Sequence, residues 1–180
     1  MGGPVNKNKS YVLIFVAFML ATSLVVSLIM TFHFQQDTSK LRFELTQKYK
    51  EIKDQEYTYD KKRGKALYQD LCMKCHGEQG RGNSIYPPLY ASEIALEKNP
   101  KKLIKVVTKG LQGKIKRQNK LYQGAMPAFG AIPAKDLAHI LNFTRKTFGD
   151  PKHTDISAVD VIKIKIDTVE RTSPWEEKDL

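Results

Sequence analysis

The amino-acid sequence predicts a mostly α-helical chain: one N-terminal transmembrane helix followed by a small helical domain. Three observations carry this. Tyr11 to Phe32 is a run of 22 residues without a charged side chain. Apolar residues recur at three- and four-residue spacing in several later segments. Both cysteines of the chain fall in one motif, Cys72-Met73-Lys74-Cys75-His76.

Residues 1–10 are short and polar, with Lys7 and Lys9. The uncharged run after them is long enough as a helix to cross a hydrocarbon core about 30 Å thick. A cleaved signal peptide would show an apolar region of about 7–15 residues and a small-x-small cleavage site. Leu24-Val25-Val26-Ser27-Leu28-Ile29-Met30 fits neither, and no cysteine nearby can carry a lipid. Residues 11–32 therefore read as an uncleaved signal anchor. Lys7 and Lys9 precede the span, whereas the first basic residue beyond it is Lys40. The positive-inside bias then puts residues 1–10 in the cytoplasm and the rest of the chain on the other side.

Residues 33–60 turn to mixed, near-neutral charge. Leu41, Leu45, Tyr49 and Ile52 make a helical stripe narrower than a core-facing helix shows, which predicts a solvated stalk. About 25 helical residues would lift the next domain roughly 35–40 Å from the membrane.

Residues 61–150 are the predicted domain. Its first helix runs from Gly64 to Leu71 with Leu67 and Leu71 on one face, and Gly64 predicts a close approach by another backbone. Asn99-Pro100 and Gly110 bound a helix carrying Leu103, Ile104, Val106 and Val107. Residues 113–122 are basic and irregular, with a ribbon turning near Gln118-Asn119-Lys120. The closing helix opens at Pro133-Ala134-Lys135-Asp136, carries Leu137, Ile140, Leu141, Phe143 and Phe148, and stops at Gly149-Asp150-Pro151. Residues 151–180 are a C-terminal extension. Ser157 and Asp160 form a capping box, and the apolar positions after it fit helix and strand alike; helix is the reading adopted. Trp175, the only tryptophan, reads as a packing anchor.

C-x-x-C-H places two thiols on one face of a helical turn, where both reach the vinyl groups of a single porphyrin, with the adjacent imidazole held against the iron. A zinc site would need a second Cys/His pair, and a redox dithiol would follow a strand rather than the helix predicted here. One covalently bound haem c is the cofactor implied, with Cys72 and Cys75 attaching it and His76 as first axial ligand.

The basicity belongs to this segment. Residues 61–150 hold 18 Lys/Arg against 6 Asp/Glu, while the whole chain has a net charge of +11. No helix-turn-helix or aromatic ribonucleoprotein pattern accompanies the charge, which excludes nucleic acid and favours an acidic protein surface. For the sixth iron position the chain offers Met126, Met73, His139 and His153. Met73 is trapped between the cysteines, His139 sits mid-helix, and His153 follows the domain's end. Met126 stands in Gly124-Ala125-Met126-Pro127-Ala128-Phe129-Gly130, a loop stiffened by proline, and is the favoured ligand.

Gly64 and Tyr68, Cys72 to His76, Pro87 with Leu89, the loop around Met126, and Leu137, Leu141 and Phe143 succeed one another as in class I cytochromes c, which residues 61–150 resemble. Pro87-Pro88-Leu89, Tyr122 to Phe129 and Leu141-Asn142-Phe143-Thr144-Arg145 resemble more narrowly the bacterial single-haem cytochromes attached to respiratory complexes or dehydrogenases. The resemblance implies a helical fold round the haem, first and last helices crossing at Gly64 and Phe143, and His76 and Met126 as the axial pair. It also implies that the Pro87 carbonyl accepts the second imidazole N–H. The turn at Gln118-Asn119-Lys120 departs from relatives that use glycine there, and leaves Tyr122 and Arg117 as candidate propionate donors. The porphyrin shell implied is Leu89, Leu103, Val107, Phe129, Leu137 and Leu141.

The function expected is single-electron transfer, not catalysis. The chain would be a single-pass protein of a bacterial inner membrane with its haem domain periplasmic. It would work between a quinol-oxidising complex and a terminal oxidase, or as a fixed subunit of such a complex. Lys98, Lys101, Lys102, Lys105, Lys114, Lys116, Arg117 and Lys120 would steer it to acidic redox partners. A labile Met126 would instead make it a haem peroxidase or a gas sensor.

Overall fold

The computed structural model describes residues 7–180, and the predicted cytoplasmic segment 1–10 lies outside the described residues except for its last four backbone positions. Helix α1 (Lys7–Ile52) is 46 residues long. Its apolar stretch is long and hydrophobic enough to cross a membrane, with a mean hydropathy of 2.8 over its most apolar 18 residues and none of them buried. The chain forms two compact units, one ending at Leu41 and one spanning Arg42–Leu180.

The second unit follows α1 with α2 (Lys61–Leu71), the single turns α3 (Met73–His76) and α4 (Glu93–Leu96), α5 (Lys101–Lys109), the strands β1 (Leu111–Arg117) and β2 (Lys120–Met126), α6 (Ala134–Phe148), α7 (Ala158–Asp167) and a final 3₁₀ turn (Glu177–Asp179). Asp60 caps α2, accepting from the Arg63 amide at 2.9 Å. The helix-forming reading of 158–167 holds because Ser157 and Asp160 complete a reciprocal capping box. The antiparallel hairpin turns through Gln118 and Asn119 at φ 49° and 63°. A two-residue loop with both φ positive matches the right-handed twist of the strands, and asparagine tolerates that geometry without glycine.

Helices α2 and α6 cross where the sequence suggests. A Cβ at Gly64 would lie 2.5 Å from the His139 carbonyl oxygen and 3.0 Å from the Phe143 Cβ. Tyr68, Phe143 and Phe148 close one side of this contact as an aromatic cluster, with ring centroids 5.1–5.8 Å apart. On the other side Leu67, Leu103, Ile104, Leu137 and Leu141 form the main core, joined by Ile156, Val161 and Ile162 of the C-terminal extension.

Tyr49 and Ile52, expected on a solvated stalk, pack against that core instead. Arg42 Nη2 donates to Glu170 Oε1 at 2.9 Å, and Lys163 Nζ sits 5.8 Å from the Tyr49 ring centroid. The narrow stripe suffices because α7, more than a hundred residues away in sequence, supplies the complementary surface.

Asn142 is the polar keystone of this layer. It is fully buried, donates to the Ile156 carbonyl and accepts from the Ile156 amide, both at 2.8 Å, and donates to the Tyr57 hydroxyl at 3.1 Å. Asn142→Leu strands both backbone groups of Ile156, and is expected to cost roughly 2–4 kcal/mol in denaturant unfolding.

Candidate haem-binding site

The site grows from the junction of α2 and α3. Helix α2 stops at Leu71, Cys72 caps it, and the next turn begins at once, with the His76 amide donating to the Cys72 carbonyl at 2.9 Å. This keeps both thiols and the imidazole on one short segment. Cys72 and Cys75 are free thiols, and both line the same cleft. Burial pushes the Cys72 thiol up to about 11, so it stays protonated at neutral pH.

His76 is buried, and its Nδ1 donates to the Pro87 carbonyl at 2.9 Å. That bond fixes the ring and the tautomer, leaving the Nε2 lone pair for a metal. Burial, opposed by the Pro87 bond, holds the imidazole below its ordinary range, so it is neutral as a ligand must be. The Pro87 loop is set by glycine geometry: Gly82 has φ 63°, donates to the His76 carbonyl at 2.8 Å, and any Cβ there would run into the Tyr86 and Pro87 backbone. Tyr68 Oη donates to the Gly77 carbonyl at 2.6 Å, tying the end of the motif to α2.

Met126 ends β2, pairs in register with Leu111, and lines the same cleft as the thiols and His76. The loop after it is pinned to α5, with the Phe129 amide donating to the Val107 carbonyl at 2.9 Å. The cleft is open on one side, holds about 140 Å³ of water-sized space and is walled mostly by apolar side chains. An adjoining cavity of about 70 Å³ shares Cys72, His76, Pro87 and Met126 and reaches inward to Leu89, Leu103, Val107 and Leu141.

The five residues singled out from sequence, Cys72, Cys75, His76, Pro87 and Met126, therefore border one space. The other axial candidates do not. Met73 packs against the aromatic cluster. His139 is buried, with Nδ1 accepting from the Asp60 amide at 3.2 Å and paired with the Tyr57 hydroxyl at 3.0 Å. His153 is buried beyond α6, outside both cavities. Of the predicted shell, Leu137 lies in the main core and lines neither the cleft nor the adjoining cavity.

Sequence reasoning missed the β1 wall: Leu111, Gly113 and Ile115 line the cleft at alternate positions. Period-two alternation was the available signal, weakened by the side-chain-free Gly113 between the polar residues Gln112 and Lys114. Tyr122 does line the cleft, but Arg117, bordering the inner cavity, is already committed: its Nη1 donates to both carboxylate oxygens of Glu177 at 2.8–2.9 Å.

Among the described residues no three His, Cys, Asp or Glu side chains gather as a metal site. What the cleft does offer fits a haem: two thiols three residues apart, a neutral imidazole with one free nitrogen, a thioether, and mostly apolar walls.

The family model described as cytochrome c oxidase, cbb3-type, subunit III matches residues 60–143. Cytochrome c-552 of Thermus thermophilus is 34% identical over 85 residues, covering 45% of this chain and 65% of that protein. The cytochrome c subunit of alcohol dehydrogenase (quinone) is 29% identical over 105 residues in Gluconacetobacter polyoxogenes and 30% in Gluconobacter oxydans. In both, the match covers 57% of this chain and 22% of the relative. The chain thus spans less than two thirds of the length of these relatives. The attachment motif, the cleft it lines and these relatives converge on residues 60–143 as a cytochrome c domain.

Proposed function

We infer that this protein is a membrane-anchored electron carrier. One haem c, attached through Cys72 and Cys75 and ligated by His76 and Met126, would pass single electrons between a quinol-oxidising complex and a terminal oxidase, or within such a complex as a fixed subunit. The observation that carries the reading is the convergence of both thiols, His76 and Met126 on one cleft, with Nδ1 of His76 taken by Pro87. The chain has a single attachment motif, since it has only two cysteines.

When bound, such a haem supplies a reversible one-electron couple, and imidazole-thioether ligation places it toward positive potentials. The protein's part is to hold a neutral imidazole in one orientation, present a thioether from the end of β2 just before a loop pinned to α5, and exclude water with Leu89, Leu103, Val107 and Leu141. With His76 and Met126 both holding the iron, no position would be left for a substrate, which supports carriage over catalysis.

Tyr11–Phe32 is the proposed span, 33–60 the spacer, 61–150 the haem domain and 151–180 its extension. Lys7 and Lys9 support a cytoplasmic N-terminus and a periplasmic haem domain at a bacterial inner membrane. Lys98, Lys101, Lys102, Lys114, Lys116 and Lys120 are exposed and support an acidic partner. Lys105 and Arg117 are engaged by the C-terminal extension. The dehydrogenase subunits among the relatives support membership of an oxidoreductase complex.

The mass of the purified chain should exceed that of the polypeptide by one haem, and the reduced protein should bind no carbon monoxide at neutral pH. Binding would favour the peroxidase or gas-sensor reading. Electron delivery to an acidic partner should fall about tenfold between roughly 0.01 and 0.15 M ionic strength, as the Debye length contracts. A rate independent of salt would instead indicate a permanently assembled subunit.

A further inference from the structure

We propose that the C-terminal extension is a positioning element for Met126, acting through β1; the inference rests on the Met126 ligation inferred above. A two-stranded ribbon is marginally stable alone, and β1 and β2 have no third strand from within the family-matched segment. The extension provides a single bridge at Trp175 instead. The Trp175 amide donates to the Gly110 carbonyl at 3.0 Å and the Gln112 amide donates to the Trp175 carbonyl at 2.8 Å. Together they bracket Leu111 in a parallel bridge along the edge of β1 that β2 leaves open.

Leu111 is the register partner of Met126, and both line the cleft. Fixing the backbone on either side of Leu111 therefore fixes the strand from which Met126 is hung. The Trp175 ring is buried in a cluster with Val106, Leu111, Ile115 and Tyr122, against which Met126 packs. Two cations lie over the ring, the Arg171 guanidinium at 3.8 Å and Lys105 Nζ at 4.9 Å from its centroid.

Two further contacts extend the clamp to both ends of the same wall. At the hairpin tip Glu177 accepts from Arg117 Nη1 at 2.8–2.9 Å. On the loop after Met126, Lys165 Nζ of α7 donates to the Ile132 carbonyl at 3.0 Å. Lys165, Trp175 and Glu177 all lie beyond residue 143, where the family match ends. A tail that merely covered the domain would not need to bond at the hairpin's base, its tip and the ligand loop.

The test uses the haem-loaded full chain and titrates the reduced protein with carbon monoxide. Apparent affinity scales with the fraction of molecules whose Met126 is off the iron, so Trp175→Ala should raise it by about tenfold or more and weaken the thioether-to-ferric-haem absorption band. Trp175→Phe should restore both. Ile156→Ala, in the main core and away from the hairpin, should lower the thermal midpoint without changing the affinity. Should Trp175→Ala fail to fold, Glu177→Gln decides, with about a two- to threefold rise expected from the loss of a partly exposed ion pair. The clamp is overturned if the tail variants stay as closed to carbon monoxide as the unaltered protein, or if Ile156→Ala opens it equally. An unaltered protein that lacks the band and binds carbon monoxide as readily as Met126→Ala overturns the ligation itself, a result distinct from tail variants that keep an existing band.

Discussion

Gly64→Val is expected to prevent the haem domain from holding its fold. The Cβ alone would sit 2.5 Å from the His139 carbonyl oxygen and 3.0 Å from the Phe143 Cβ. The first of these is backbone in the middle of α6 and cannot rotate away. Relief requires α2 and α6 to separate, and α6 is buried on nearly every side, so separation opens the main core and the aromatic cluster together. Overpacking ordinarily costs about 1–3 kcal/mol, and a branched side chain against a fixed carbonyl belongs above that range. A loss of more than about 3 kcal/mol is a large share of a domain's total of roughly 5–15 kcal/mol. Because α2 runs directly into Cys72, the variant should also mature with little attached haem. Guanidinium unfolding and haem stain per mole of chain measure the two effects. Lys65→Ala, one residue on and exposed, should change stability by no more than about 0.5 kcal/mol. A Gly64→Val chain as stable as the Lys65 variant would show that the helices do not cross there.

What can be read from the sequence is whatever is written locally. C-x-x-C-H carries its chemistry in five residues, and proline, glycine and apolar spacing place α2, α5 and α6 close to where they occur. The choice of helix for 158–167 also succeeds on a local signal, the Ser157–Asp160 box, against an alternation of Ile162, Ile164 and Ile166 that suits a strand. Those isoleucines follow neither period cleanly because α7 is buried on more than one side, against α6 and α5 and beneath the end of α1.

What cannot be read depends on partners distant in sequence. Asn142 looks like a surface amide within an apolar helix until Ile156 presents its backbone to it. Arg117 looks free for a propionate until Glu177 arrives from sixty residues away. Tyr49 and Ile52 look solvated until α7 covers them. The same limit explains the cleft: Cys72, Cys75, His76 and Met126 can be picked out because each is chemically distinctive, whereas the β1 wall is made of Leu111, Gly113 and Ile115, residue types that carry no signature. A site's chemistry is local and its scaffold is not, and the extension beyond residue 150 belongs to the scaffold.

Met126→Ala should leave the haem attached and change what it does. Attachment needs only Cys72 and Cys75, and His76 keeps its bond to Pro87, so the covalent stain should be unaltered. Met126 is partly exposed and packs against the Trp175 cluster, so truncation should cost about 1–2 kcal/mol of stability, below the range for fully buried methionines. The functional change should be far larger. Without the thioether the ferrous state loses its favoured ligand and the potential falls, each 59 mV being about a tenfold loss in the equilibrium for reducing the haem. The vacated position should admit carbon monoxide with an apparent affinity at least about a hundredfold above the unaltered protein, whose competent fraction is small. Met126→His separates the two effects: it should keep the position closed to carbon monoxide while still lowering the potential, because imidazole favours the ferric state relative to thioether. Redox titration and carbon monoxide difference spectra on the three proteins distinguish these outcomes. If Met126→Ala retains both the potential and the closed position of the unaltered protein, the sixth ligand comes from elsewhere in the chain.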